Sequence, residues 1–575
     1  MKGLTLRKIA EAVGGELYLP EEYVAADHAA GSRVTCGTEI CSGASDRGVT
    51  DSVATDSGAT DRGASDSGVS DSGVSDSVAT ERGAIDCKTV TGVVIDSRKL
   101  TAGNLFVATV GERVDGHDFI NQVFEKGALG VICERLPECT GSRHDDAPAQ
   151  QGDDKGSRHD ASTLHEGGTG SQHDGALALQ GENADYGTTR GTSTLPGPCI
   201  LVKDSFVALK KLAAYYRRCI WDIRIVGIVG SVGKTSTKEI VASVLSQKYS
   251  VLKTEGNFNN EIGVPLTMLS IRDSHEAAVV EMGISDFGEM DRLGEIVCPD
   301  IVVMTNIGPC HLEKLGDLSG VLRAKSEVFK HIRPGGLAVL NSEDAQLNTI
   351  DAIPQCRIVR YGEGSDIYAE DIINLGLEGS DFTVRCENDS FGTALTLPGR
   401  HQIMNALAAT AVGREFGLTS EEISDGISAA KGVSGRGTLV RTDSLLLVDD
   451  CYNANPRSMM AAIDMLRDAL ERRCAILGDM FELGADEESL HAQVGAYAAE
   501  QGLDVLVCIG RLSRHMYEAA RESGKINQLH YFETKEQFLQ YPYHVGFEKG
   551  DTVLIKASHG MAFNQITEAM KCLQL

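Results

Sequence analysis

Short β-branched runs and longer amphipathic stretches alternate through most of this chain. Between Thr91 and Glu134 the runs TGVVID, NLFVAT and LGVICE each end in polar residues, the pattern of short buried strands. From Arg224 the alternation becomes regular, with RIVGIVG, AAVVEMG, DIVVMTNIG and GGLAVLN separated by helix-forming segments, and from Leu445 it repeats with LLLVDD, CAILGDM, DVLVCIG and TVLIKAS. Continuous apolar strands followed by helices predict α/β folds with parallel, doubly wound sheets, whose ligands sit at the carboxyl ends of the strands. The opening MKGLTLRKIAEAVGGEL reads as an amphipathic helix rather than a signal peptide, and no run approaches the roughly 18 apolar residues needed to span a bilayer.

Two segments break the pattern. Ser45 to Ala84 consists of consecutive pentads such as SDRGV, TDSVA and TDSGA, without leucine or aromatic residues. Such a composition buries too little apolar surface to offset chain entropy, so disorder is expected, with a short-period β-solenoid as the alternative. Around Pro137 to Pro198 the motif GSRHD recurs at Gly141 and Gly156, and GSQHD at Gly170. Its histidines could bind metal, but a solvated, repeat-expanded linker is the simpler reading. With inserts at about 25–86 and 137–197 set aside, three domains are expected: a small α/β domain within 1–220, a central phosphate-loop domain over 221–434 and a Rossmann-like α/β domain over 435–575.

The formal charge of −28 argues against nucleic acid and anionic membrane surfaces as partners. The 15 cysteines form no C-x-x-C pair, which points away from a disulfide framework or structural zinc and towards a reducing, cytoplasmic setting.

The candidate chemistry centres on RIVGIVGSVGKTSTKE, Arg224 to Glu239. A strand breaks into a glycine turn and enters a helix, so backbone N–H groups from Gly230 through Ser231, Val232 and Gly233 can cradle phosphate. Lys234 adds charge, Thr235 offers a hydroxyl to Mg²⁺, and the helix dipole assists. The spacing is G-x-x-G-K-T, shorter than the general Walker pattern. Glu281 ends a strand of the same sheet, where a carboxylate can share a Mg²⁺ with Thr235. Asn306 and His311 follow another strand; the histidine suits a metal ligand or a structural hydrogen bond. Lys325 alone would pass for a solvated helix charge. TEGNFNNEIGVPLT, with Asn257, Asn259 and Asn260, suits a rigid hydrogen-bonding loop. In VDDCYNANPRSM, Asp449 and Asp450 follow a strand and lead into a helix, positions that serve a ribose hydroxyl or a cap equally well.

Taken in order, DSRKLTAGNLFVATVGERVDGHDFI, GSVGKTSTKE, TEGNFNNEIGVPLT, EMGISDFGEM, TNIGPCHLEKLG, AKSEVF, GRHQIMNALAA, DDCYNANPRSM and ILGDMFELG resemble the Mur ligase family, over nearly the whole chain outside the inserts. TEGNFNNEIG and DDxYNANPxSM resemble the branch that adds D-alanyl-D-alanine. The resemblance implies an ATP-dependent ligase that joins D-alanyl-D-alanine to UDP-N-acetylmuramoyl-tripeptide through an acyl phosphate, using Mg²⁺. Its partners would be these small molecules, and the chain a cytoplasmic monomer without membrane insertion.

By the same resemblance, the first domain binds the uridine nucleotide through Ser97 and Arg98, with Asp115 and His117 beside them. Gly230 to Ser236 bind ATP. Thr235 and Glu281 hold one Mg²⁺, and His311 and Lys325 a second, Lys325 as a carbamate. Asn405 meets adenine, Arg436 an ATP phosphate and Asp450 the ribose. Asn257, Asn259, Asn260, Asn453 and Asn455 contact substrate. Lys234, His311, Lys325 and Arg436 are the expected catalytic set. Ala557 and His559 depart from the family's K-G-S-R-G-M, as Val232 and Cys451 do more mildly from asparagine and serine. A ligase adding a single amino acid, or an ATP-binding scaffold with decayed chemistry, are the competing readings.

Overall fold

The computed structural model describes residues 3–20, 88–111, 113–137, 195–387 and 389–575. The pentads and the GSRHD repeats, and the expectations attached to them, lie outside the described residues.

The first sheet gathers strands from three separated stretches. In the order β1-β5-β4-β3-β2 it comprises β1 (Glu16–Tyr18), β2 (Val93–Val94), β3 (Leu105–Val107), β4 (Gly130–Cys133) and β5 (Cys199–Leu201), all parallel except β1 against β5. The opening segment forms the helix Leu6–Val13, capped by Thr5 and buried through Leu6, Ile9, Ala10 and Val13, the spacing of one helical face. The helix Ser205–Cys219 packs beside it and leads into the central sheet.

That sheet has nine strands in the order β14-β13-β12-β11-β10-β9-β6-β8-β7. They are β6 (Arg224–Val229), β7 (Val251–Lys253), β8 (Ala277–Glu281), β9 (Ile301–Met304), β10 (Leu337–Asn341), β11 (Arg357–Tyr361), β12 (Ile367–Asn374), β13 (Ser380–Cys386) and β14 (Asp389–Leu395). From β7 to β12 the pairs are parallel, and β8, β9 and β10 are buried along their whole length because helices cover both faces. The antiparallel pairs β12–β13 and β13–β14 extend this parallel sheet, a feature absent from the sequence expectation. The helix Lys234–Leu245 packs against Ser420–Ser428 so closely that a Cβ on Gly426 would lie 2.4 Å from Val244 Cα. Complete burial of Val244 and Leu245 contributes about 1.5–3 kcal/mol each.

The third sheet runs β15-β16-β20-β17-β18-β19: β15 (Thr438–Arg441), β16 (Leu446–Asp449), β17 (Arg473–Gly478), β18 (Val505–Ile509), β19 (Gln528–Phe532) and β20 (Thr552–Lys556). Only β15 is antiparallel to its neighbour. Among the described residues no helix is long and apolar enough to cross a membrane.

Candidate active site

In the central sheet the chain winds outward from β6 in both directions, through β8 on one side and β9 on the other. The carboxyl ends of these three strands therefore open a crevice. The loop after β6 rests on the end of β9. Ser231 N–H donates to Asn306 O at 3.0 Å and Val232 N–H to Asn306 Oδ1 at 3.0 Å, while Thr305 Oγ1 and Asn306 Nδ2 both donate to Val232 O. Gly230 has φ +154°, and a Cβ there would lie 2.0 Å from Thr305 Oγ1. Gly230→Ala is accordingly expected to displace the loop and weaken ATP binding roughly tenfold or more in a calorimetric titration. Unchanged affinity would mean that the loop is free to relax.

Lys234 opens the helix Lys234–Leu245 and turns back to donate to Gly230 O at 2.9 Å. Desolvation lowers its pKa and the Arg436 charge adds to this, whereas Glu281 opposes it. Thr235 Oγ1 donates to Glu281 Oε1 at 3.2 Å and accepts from Arg436 Nη2 at 3.3 Å. Arg436 precedes β15, so a cation from the neighbourhood of the third sheet reaches the phosphate loop.

Glu281 is 1 % exposed. Its Oε1 also accepts from Asn259 Nδ2 at 2.8 Å, and its main-chain N–H donates to Thr254 Oγ1. Its Oε2 lies 3.8 Å from Lys238 Nζ and has no hydrogen-bond partner among the described residues. A buried carboxylate oxygen without a hydrogen bond, next to a threonine hydroxyl, fits a hard divalent cation.

Lys325 is 1 % exposed, and its ammonium has no hydrogen-bond or ion-pair partner among the described residues. Burial pushes its pKa down to about 8, and the Lys234 charge contributes. His311 stands nearby with φ +52°, and its Nδ1 is 2.5 Å from Glu482 Oε2, a residue of the loop after β17 that itself has φ +62°. Burial lowers the His311 pKa despite Glu482. Cys310 Sγ donates to Ser231 Oγ at 3.2 Å.

Asp450 follows β16 and pairs through Oδ2 with the buried Lys556 at the end of β20, at 2.7 Å; Lys556 also donates to Asn453 O. Asn405 lies under the loop rather than open to it: Oδ1 accepts from Thr237 Oγ1 at 2.9 Å, Nδ2 donates to Gln402 Oε1, and Oδ1 would be 3.4 Å from a Cβ at Gly233.

Several residues expected at substrate have structural work instead. His117 is buried, with Nδ1 bonded to Asp115 Oδ1 at 2.7 Å and Nε2 accepting from Glu134 N–H, so neither ring nitrogen remains for a ligand. The His117 main-chain N–H and Arg135 hold the Asp115 carboxyl well below the usual range. Asn260 Oδ1 accepts from Gly263 N–H at the start of the helix Gly263–Leu269, and Asn455 caps Pro456–Met465 in a reciprocal box with Ser458. Asn259 orients Glu281, and Asn453 Oδ1 accepts from Ala454 N–H. Ser97 and Asn257 make no comparable side-chain bond among the described residues, and exposed Arg98 forms a two-pronged pair with Asp96, which it pushes down to about 2.

The sequence expectations omitted Lys238, Glu482, Lys556 and Arg457. Arg457 Nη1 reaches Asp344 Oδ2 at 3.1 Å, and Asp344 Oδ2 in turn accepts from Ile307 N–H. Of these, only Lys556, a lysine closing an apolar strand, carried a local signal.

Family models match three regions: the Mur ligase family catalytic domain over 89–152, the Mur ligase middle domain over 228–413 and the Mur ligase glutamate ligase domain over 435–559. The UDP-N-acetylmuramoyl-tripeptide–D-alanyl-D-alanine ligase of Bacillus subtilis is 33% identical, covering 83% of this chain and 93% of the relative; that of Escherichia coli is 32% identical, covering 84% and 94%. Among solved structures, MurF from Acinetobacter baumannii has a TM-score of 0.67 at 29% identity, covering 83% of this chain and 93% of that one. MurF ligase from Thermotoga maritima in complex with ADP has a TM-score of 0.65 at 26% identity, covering 84% and 97%.

Proposed function

The chain belongs to the Mur ligase family, and from that membership we propose how its residues form a peptide bond. It is an ATP-dependent ligase that joins D-alanyl-D-alanine to UDP-N-acetylmuramoyl-tripeptide in peptidoglycan synthesis. One observation carries the residue assignment: at the hydroxyl of Thr235, the phosphate loop, a buried strand-end carboxylate and a cation from beside the third sheet converge.

A carboxylate does not react with an amine at neutral pH. The γ-phosphoryl group of ATP is therefore transferred to the tripeptide carboxylate, and the dipeptide amine displaces phosphate from the resulting acyl phosphate. Charge builds up between two anions, so cations matter more here than acid–base groups. Lys234 neutralises the phosphates from the loop and Arg436 from beside the third sheet. Thr235 and Glu281 would hold a Mg²⁺; Glu281 Oε2, which has no hydrogen-bond partner among the described residues, supports this. Bound there, the ion supplies charge neutralisation across the reacting phosphates. His311 and Lys325 would serve a second ion. Lys325 can carry a carbamate, formed when the neutral amine adds to CO₂ and loses a proton, and its lowered pKa keeps part of it neutral near pH 7.

Asp450, oriented by Lys556, meets the ATP ribose, and Asn405 supports the loop from beneath through Thr237. Ser97 and Arg98 meet the uridine nucleotide, and Asn257 faces the peptide. The protein works as a cytoplasmic monomer; the 11 free cysteines of the described residues support a reducing compartment.

The test is phosphate release by the purified chain with ATP, Mg²⁺ and both peptide substrates, followed by mass spectrometry. Release that requires both substrates and yields the pentapeptide nucleotide is expected. Folded, ATP-binding protein that turns over neither substrate would sink the reading.

A further inference from the structure

The Arg436 guanidinium lies over the ring of Tyr452, its Cζ 3.8 Å from the centroid. The same tyrosine ring also meets His559, whose ring centroid is 5.4 Å from that of Tyr452 at an interplanar angle of 43°. Three loops supply these groups. Arg436 precedes β15, Tyr452 follows β16 and His559 opens the short turn His559–Met561 after β20.

Hydrogen bonds tie the first two loops to each other and the third to the loop after β17. Tyr452 N–H donates to Gly435 O at 3.1 Å, and Gly435, at φ +74°, brings the two backbones so close that a Cβ there would be 3.4 Å from Tyr452 Cβ. Beneath His559, Ser558 N–H donates to Asp479 O and Ser558 Oγ accepts from Phe481 N–H. The ring of Tyr452 is half-buried and belongs to neither apolar cluster of the third sheet, so packing of that core does not account for it.

We propose that Tyr452 and His559 form an aromatic platform that positions Arg436 for phosphate. The inference rests on the reading that Arg436 acts on ATP. An arginine carries many rotamers, and its N–H donors lie in the plane of the guanidinium. Stacking on Tyr452 occupies the face of that plane and leaves the edge free. One edge nitrogen already donates to Thr235 Oγ1 at the phosphate loop. The guanidinium is thereby oriented before ATP arrives, and contact with His559 limits the movement of the tyrosine ring. Tyr452 and His559 are positioning residues, acting through Arg436.

Steady-state kinetics on the full chain test this with Arg436→Ala, Tyr452→Ala, Tyr452→Phe, His559→Ala and the Tyr452→Ala/Arg436→Ala double variant. Tyr452→Ala is expected to lower kcat roughly tenfold with a smaller change in KM for ATP, Tyr452→Phe to recover all but about twofold, and His559→Ala to cost about threefold. The double variant should be no slower than Arg436→Ala, because the platform has no other route to the chemistry. Wild-type kcat in Tyr452→Ala, or losses that multiply in the double variant, would overturn the platform while leaving Arg436 its role. An unchanged kcat in Arg436→Ala would overturn both. If Tyr452→Ala fails to fold, Tyr452→Phe and His559→Ala carry the test: a Phe variant as slow as Arg436→Ala, or a fully active His559→Ala, counts against the platform.

Discussion

Lys234→Ala is expected to abolish substrate-dependent phosphate release while leaving the fold intact. The ammonium is the one cation provided by the phosphate loop itself, and in the structure it sits on the loop's own carbonyls, Gly230 O and Ser231 O. Those contacts are replaceable by phosphate oxygens of far greater charge, so the lysine is poised to transfer to ATP. Its loss should lower kcat on the order of 10³-fold, about 4 kcal/mol of transition-state stabilisation at 1.36 kcal/mol per decade. Stability should change little, because the side chain is only half-buried and makes no ion pair among the described residues. Rapid-quench measurement of phosphate together with a thermal melt separates the two. Activity within tenfold of wild type would remove Lys234 from the chemistry.

Glu281→Gln should be nearly as damaging to turnover and similarly mild for the fold. The substitution keeps the shape and an oxygen for Asn259 Nδ2 and Thr235 Oγ1, but removes the carboxylate charge that faces Lys238 and puts an amide nitrogen in place of Oε2. Removing one member of a buried ion pair usually leaves a costly lone charge. Here Lys238 retains a 2.7 Å bond to Thr254 O and a 3.2 Å contact with Glu239, so the expected loss of stability is about 1–2 kcal/mol. If the carboxylate helps hold Mg²⁺, kcat falls roughly 10²- to 10³-fold and the Mg²⁺ concentration for half-maximal rate rises. A lowered kcat with unchanged Mg²⁺ dependence would confine Glu281 to orienting Thr235.

Much of the fold was legible because covered parallel sheets require unbroken apolar runs. RIVGIVG, AAVVEMG and DIVVMTNIG became β6, β8 and β9, and GSVGKT the turn between β6 and its helix. The antiparallel β12–β14 was missed although a signal existed: along Ser380–Cys386, Phe382, Val384 and Cys386 point inward and alternate with half-buried or exposed residues. That is the period of two of a sheet with one wet face.

Within the candidate site, residues that belong to a local motif were legible in the chain and residues defined by a partner were not. Gly230, Lys234, Thr235 and Glu281 announce themselves by following or ending a strand. A lysine in the middle of a helix, such as Lys238, looks like any solvated charge until Thr254 and Glu281 are seen around it. The asparagines of TEGNFNN and NANP were legible as a group, but capping, bracing and substrate contact demand the same amide. Only geometry shows that Asn455 caps a helix, that Asn260 accepts from Gly263 N–H at the start of another and that Asn259 holds Glu281.

By itself, then, the sequence determined the α/β architecture, the phosphate loop and the family, since each follows from periodicity or from contiguous residues whose spacing the backbone makes rigid. The tertiary structure decided which polar side chains are free. Whether His117 offers a nitrogen, whether Arg436 reaches Thr235 and whether Tyr452 lies beneath it depend on groups distant in the chain, brought within 4 Å by packing between the central and third sheets and within the first. Hydrogen bonds and stacking act only over such distances, and no local pattern in the chain encodes them.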